Sequence, residues 1–274
     1  MKGCILSAVY AVEAMLAMES RPFGELRFLC VSDEEIAERH CKETMREVCQ
    51  NCQGALVLEA ARANGDIVSA RKGSDWYILT ARGRSAHAGV EPEKGRNAIV
   101  ELAHQVLQFV SLNGWREGIT VNAGVVSGGT LPNVVPDFAQ ARFDLRFLYM
   151  QDKTATEVRW REMMGQKLIT DVELTLESEP DFKMPMVRTP ESLRLAHRAQ
   201  EIAGMLGFSL DHVLTGGSSD GTYASSYGVP VLDGLGPIGG LDHSPREYLM
   251  ANSVAPRSAL LAGLIATVGS GQAQ

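Results

Sequence analysis

The sequence predicts an α/β protein whose central sheet, flanked by helices, is interrupted by an inserted α+β sandwich. Three observations carry that prediction. Short apolar runs that end in acids alternate with helical stretches near both ends of the chain. Between them the periodicities run strand–helix–strand–strand–helix–strand, which is a complete small fold in its own right. The length of 274 residues also exceeds that of a usual single domain, so an insertion or a second unit is expected.

The elements follow in order. Residues 1–20, MKGCILSAVYAVEAMLAMES, place apolar side chains at helical spacing. Glu13 and Glu19 interrupt the run, so it reads as a buried amphipathic helix rather than the apolar core of a signal peptide. Glu25–Val31 is a short apolar strand and residues 36–50 are helical. Ala55–Leu58 is a second buried strand, ending at Glu59. Ligands of such sheets sit beyond the carboxyl ends of the strands.

From Ile67 the pattern changes. Trp76–Arg82 reads as a strand, Gly83–Gly95 as a loop and Asn97–Leu112 as a helix. Strands at Ile119–Val126 and Ala139–Phe147, a helix at Lys153–Gln166 and a strand at Val172–Leu176 complete a ferredoxin-like order. The chain then returns to α/β character. It carries a helix at Glu191–Leu206, a glycine loop at Gly216–Gly221, a strand at Pro230–Leu232 and a final helix at Asn252–Val268. The expected division is 1–70 and 183–274 for the α/β domain and 71–182 for the insertion.

Composition excludes several classes. With 45% apolar and 22% charged residues the chain has a globular profile rather than a disordered one. Its 33 acids against 26 basic residues give a net charge of −7, which lacks the basic footprint of a nucleic-acid binder. No uninterrupted apolar run reaches the roughly 18 residues of a membrane span. Five cysteines without a signal-like leader point to reduced thiols and a cytoplasmic protein.

Several residues carry two readings each. Asp33-Glu34-Glu35 ends an apolar strand: adjacent carboxylates repel, so they either open a solvated helix or share a cation. Glu59 is either a first loop residue or a ligand, and His243, in a glycine-rich loop, is either a surface histidine or a ligand. Together such acids and a histidine form a mixed oxygen and nitrogen set suited to zinc. The rival metal set joins His40 and Cys41 to the C-x-x-C of Cys49 and Cys52. Against it, Cys41 and Cys49 fall in the expected helix and no second C-x-x-C exists. His87 is a surface histidine or an oxyanion donor. Asn133 and Arg146 are turn and surface residues or carboxylate binders. Gly216, Gly217 and Ser218 form a common turn or an anion-holding loop.

In combination, certain stretches match one family in its order. They are MKG at the start, SDEE at 32–35, LVLE at 56–59, RKG at 71–73, GRSAHAG at 83–89 and PEKGRNAI at 92–99, followed by SGGTLPNVVPD at 127–137, TGGSSDG at 215–221 and DGLGPIGGLDHSPREY at 233–248. The chain thereby resembles the zinc-dependent aminoacylase and glutamate carboxypeptidase family of metallopeptidases, which also holds acetylornithine deacetylase and succinyl-diaminopimelate desuccinylase. The resemblance implies a zinc-peptidase-like central sheet and gives the insertion a purpose as lid and homodimerisation domain. It implies that Glu34 is the general base, that Glu35 and Glu59 each bind one zinc, and that His243 binds the first. His87 looks like an oxyanion donor supplied from the partner subunit's lid, and Asn133, Arg146, Gly216, Gly217 and Ser218 look like binders of the substrate's carboxylate.

In the family, Met-Lys-Gly follows a metal-bridging aspartate, and a His-x-Asp motif lies further upstream. The resemblance therefore reads this chain as an N-terminally truncated member lacking the first strands of the sheet. It implies two zinc ions in the complete family site and one or none here, with an unpaired sheet edge. Two functions follow. One is metal-dependent hydrolysis of an amide in an N-acyl or peptidyl amino acid with a free carboxylate, Glu34 activating the water. The other is a catalytically dead remnant that mainly homodimerises.

Overall fold

The computed structural model describes residues 1–34, 41–180, 182–242 and 244–271. The chain folds as two compact units, Met1–Arg71 with Pro185–Gln274, and Lys72–Met184. No helix among the described residues is long and apolar enough to cross a membrane.

The first unit opens with helix α1 (Lys2–Ala17), which buries Cys4, Ser7, Ala8, Ala11 and Met15. That three-and-four spacing is one helical face. The other face leaves Ile5, Leu6, Val9 and Tyr10 exposed, so the helix is apolar all round and only half covered. The expected strand at 25–31 does not form: the segment is irregular, and Leu26, Phe28 and Leu29 are exposed. A strand exists only through a hydrogen-bonded neighbour. Here Arg27 instead reaches the carbonyls of Val48 at 2.7 Å and Gln50 at 3.1 Å. Helix α2 spans Lys42–Cys49, and the part of the expected helix at 36–40 lies outside the described residues. Strands β1 (Ala55–Leu56) and β2 (Ile67–Arg71) follow.

The second unit is built from β3 (Gly73–Arg82), β4 (Ala86–His87), α3 (Ala98–Val110), β5 (Thr120–Gly128), β6 (Val134–Val135), β7 (Phe138–Phe147), α4 (Met150–Met164) and β8 (Glu173–Ser178). Its four long strands form an antiparallel sheet in the order β5–β7–β3–β8. This is the ferredoxin-like order that the alternation of periods predicts. Along β7 every second residue from Ala139 to Phe147 is buried, the period of a strand with one covered face. Asn97 begins α3 by accepting a hydrogen bond from the Val100 N–H at 3.0 Å, a standard N-cap. The core centres on Trp160, fully buried, which stacks on Phe109 at 4.8 Å between ring centres and meets Tyr77 edge-on at 5.1 Å.

The chain then completes the first unit with α5 (Pro190–Met205), β9 (His212–Thr215), α6 (Gly221–Ser226), β10 (Val231–Leu232), the paired β11 (Gly239–Gly240) and β12 (Tyr248–Leu249), and α7 (Val254–Gly269). Thr189 and Ser192 form a reciprocal capping box at the start of α5. Strand β1 runs parallel to β10, and β2 runs parallel to β9. A bridge between Val68 and Asp233 ties β2 to the end of β10. Ala8, Ala11 and Met15 of α1 share a core with Leu195 and Ala199 of α5 and Leu260 and Leu264 of α7. The amides of Ala55 and Val57 both donate toward β10, to Pro230 and Leu232. By alternation Leu56 faces the opposite edge, where no further strand lies among the described residues.

Candidate active site

The strand ends of the first unit gather its charged groups. Glu59 follows β1, and Glu34, Glu59 and Asp220 all line one cavity of about 1250 Å³. The other walls come from α1, the 23–31 segment and α7. Glu59 is half-buried, and its carboxyl is pushed up to about 7. Burial is the largest cause and the charge of Asp233 the second; Arg71 opposes them, and Glu34 adds to the rise. A carboxylate held this way gains from a nearby cation. The structure thus brings Glu34 and Glu59 to one cavity. Glu35 and His243 lie outside the described residues. No group of three or more His, Cys, Asp or Glu side chains among the described residues is arranged to hold a metal, the C-x-x-C pair included.

Beneath this cluster lies an ion pair that the reading of motifs passed over. Arg71 ends β2, a strand buried at all five positions, and its Nε donates to Asp233 Oδ2 at 2.6 Å. The two side chains are 5% and 0% exposed, so each charge depends on the other. Asp233 also accepts from Ser219 Oγ at 2.5 Å and from the Gly234 N–H. Arg71 Nη1 donates to the Gly217 carbonyl at 3.0 Å. The glycine loop after β9 is therefore tied to β2 and β10 from within. The available signal was an arginine closing the apolar run IVSAR: a cation there is buried only with a partner.

A side chain built at Gly217 would meet no described residue within 4 Å, so this glycine leaves room for a ligand to approach the backbone. The Ser218 hydroxyl is buried and has no partner among the described residues.

In the second unit, β4 and β6 form a short ribbon with His87 opposite Val134. His87 is exposed, and the Gly89 N–H donates to its Nδ1 at 3.2 Å. In the neutral ring Nε2 then carries the proton, leaving an outward N–H donor. The Asn133 carbonyl accepts from the Ala88 N–H at 3.0 Å, so Asn133 and His87 share one ribbon. Arg146 does not join them. It pairs with Ser74 and Thr120 near the far end of β7, and its Nε donates to Asp144 at 2.9 Å. Within a single chain Asn133 and Arg146 therefore stand at opposite ends of the sheet. From Phe138, where the ribbon joins β7, to Arg146 is about 27 Å of strand.

Residues 69–172 match the peptidase dimerisation domain. The chain is 25% identical to carboxypeptidase G2 of Pseudomonas sp. (strain RS-16), over 92% of this chain and 61% of that protein. It is 29% identical to succinyl-diaminopimelate desuccinylase of Alkalilimnicola ehrlichii, over 97% of this chain and 72% of the relative. Among solved structures, aminopeptidase PepT of Bacillus cereus superposes with a TM-score of 0.83 at 22% identity, over 97% of this chain and 70% of that one. A tripeptidase of Staphylococcus aureus gives 0.79 at 20% identity, over 97% and 69%. The chain thus spans between three fifths and three quarters of the length of these proteins.

Proposed function

We propose that the chain is a member of the aminoacylase and glutamate carboxypeptidase family of metallopeptidases and that it hydrolyses an amide bond in an N-acyl or peptidyl amino acid bearing a free carboxylate. The observation that carries this reading is the match to carboxypeptidase G2 and to the desuccinylases, which runs through more than nine tenths of this chain. Glu34 and Glu59 lie within the matched span and on one cavity.

Glu59, raised by burial and by neighbouring carboxylates, fits a divalent cation, and Glu35 and His243 are the further oxygen and nitrogen ligands that the family resemblance implies. When bound, the ion supplies Lewis acidity, polarising the amide carbonyl and acidifying water. The residues of the chain do the rest. Glu34, half-buried beside Glu59, takes the proton from the attacking water and returns it to the leaving amine. The Nε2–H of His87 donates to the oxygen on which negative charge develops.

Because Arg146 and the ribbon carrying His87 lie at opposite ends of one sheet, we assign them to different sites of a homodimer, His87 to the partner subunit's. Asn133, Arg146 and Gly216–Ser218 are the proposed binders of the substrate's carboxylate.

The test is a panel of N-acyl glutamates and short peptides incubated with the zinc-loaded protein, each beside its C-terminal amide. Turnover of the free acids is expected, reduced roughly 10- to 100-fold on amidation through the loss of charged hydrogen bonds. Absence of turnover across the panel overturns the reading.

A further inference from the structure

We propose that Arg71, clamped by Asp233, is the positioning residue of the carboxylate-recognition loop, turning the Gly217–Ser218 peptide so that the Ser218 N–H faces the ligand. The inference rests on the reading of the Gly216–Ser218 loop as a carboxylate binder.

The argument begins with the peptide plane. In a trans peptide the C=O of one residue and the N–H of the next point in opposite directions. Arg71 Nη1 holds the Gly217 carbonyl from inside the unit at 3.0 Å. The Ser218 N–H must therefore point away from Arg71. It makes no hydrogen bond among the described residues, and a Cβ at the preceding Gly217 would meet none of them within 4 Å. A guanidinium donating to the carbonyl also polarises the peptide, which strengthens its N–H as a donor. The buried Ser218 hydroxyl, likewise without a partner among the described residues, is a second donor at the same place.

Arg71 is in turn fixed. Its Nε donates to Asp233, whose carboxylate also takes the Ser219 hydroxyl and the Gly234 N–H. The Ser219 hydroxyl accepts from the Gly221 N–H at 3.2 Å. Both ends of the 217–219 turn are thus anchored to one buried ion pair, and Arg71 touches no open surface itself, being 4% exposed. It acts through the backbone.

The test uses the full chain with serine amides labelled for NMR, titrated with N-acetylglutamate, alongside kinetics. Because Arg71→Met alone leaves Asp233 buried and unpaired, the double variant Arg71→Met with Asp233→Asn is the main probe, and Arg71→Lys is the conservative control. In the wild type the Ser218 amide resonance is expected to shift on titration. In the double variant the shift is lost and KM rises about tenfold or more while kcat moves less, with partial recovery in Arg71→Lys. A wild-type protein whose Ser218 amide does not respond, or a double variant with unchanged KM and an unchanged shift, overturns the proposal. If the shift behaves as expected but no acyl amino acid is hydrolysed, the positioning role stands and the hydrolase reading fails.

Discussion

Arg146 and the short ribbon that carries His87 lie at opposite ends of one four-stranded sheet. Arg146 pairs with Ser74 at one end of β7, while the ribbon carrying His87 departs beyond the Arg82–Phe138 pair at the other. About 27 Å of strand separates the two ends, more than a small acyl amino acid can bridge. The proposed two-fold dimer would let each site take one end of each sheet.

Subunit complementation tests that division. His87→Ala and Arg146→Ala are each expected to lower turnover strongly as homodimers. Mixed and re-equilibrated, half of the dimers are heterodimers, and each of those holds one site with both residues intact. About a quarter of wild-type activity should return. If both residues served one site of one chain, no mixed dimer would hold an intact site, and activity would stay at the level of the single variants.

Glu34→Gln removes a proton acceptor while keeping size and polarity. Turnover should fall by roughly 10²- to 10⁴-fold, the usual worth of a positioned general base. The zinc content of the purified variant should match that of the wild type, because Glu34 is assigned no ligand role. Retained turnover, or lost zinc with proportionate loss of activity, would remove Glu34 from the role of base.

The sandwich was legible from sequence because its strands are long and alternate cleanly, as in FAQARFDLRF, and because its helices have clear starts such as Asn97. The strand expected at 25–31 misled for a physical reason. ELRFLCV has the composition of a buried strand, yet pairing is a property of neighbours, and none accompanies it among the described residues. The cavity residues Glu34 and Glu59 were legible as acids at the ends of apolar runs. The Arg71–Asp233 pair was not, because its partners stand 162 residues apart. The separation of Asn133 from Arg146 also stayed hidden, since only the register of β7 reveals it.

Trp160 is the packing centre of the sandwich, fully buried between Phe109, Phe143 and Tyr77. Trp160→Ala should destabilise this unit by about 3–5 kcal/mol, and Trp160→Phe by less. Urea unfolding followed by far-UV circular dichroism reads the difference. A loss near zero for the alanine variant would mean that the stacked cluster contributes little to the core.

Glu59 makes the metal-free protein sensitive to pH in a defined direction. Its carboxyl titrates at 4.5 when unperturbed and at about 7 in the fold. Between those values the folded state keeps a proton that the unfolded chain has released, so stability falls as pH rises through the window. With a chelator present, Tm should decline from pH 5 to pH 8 in the wild type. Glu59→Gln should flatten that decline and melt higher than the wild type at pH 8. Added zinc should reverse the trend, since the ion competes with the proton and binds more tightly as pH rises. A wild-type Tm that climbs with pH in chelator would show that the burial and repulsion acting on Glu59 are relieved by other means.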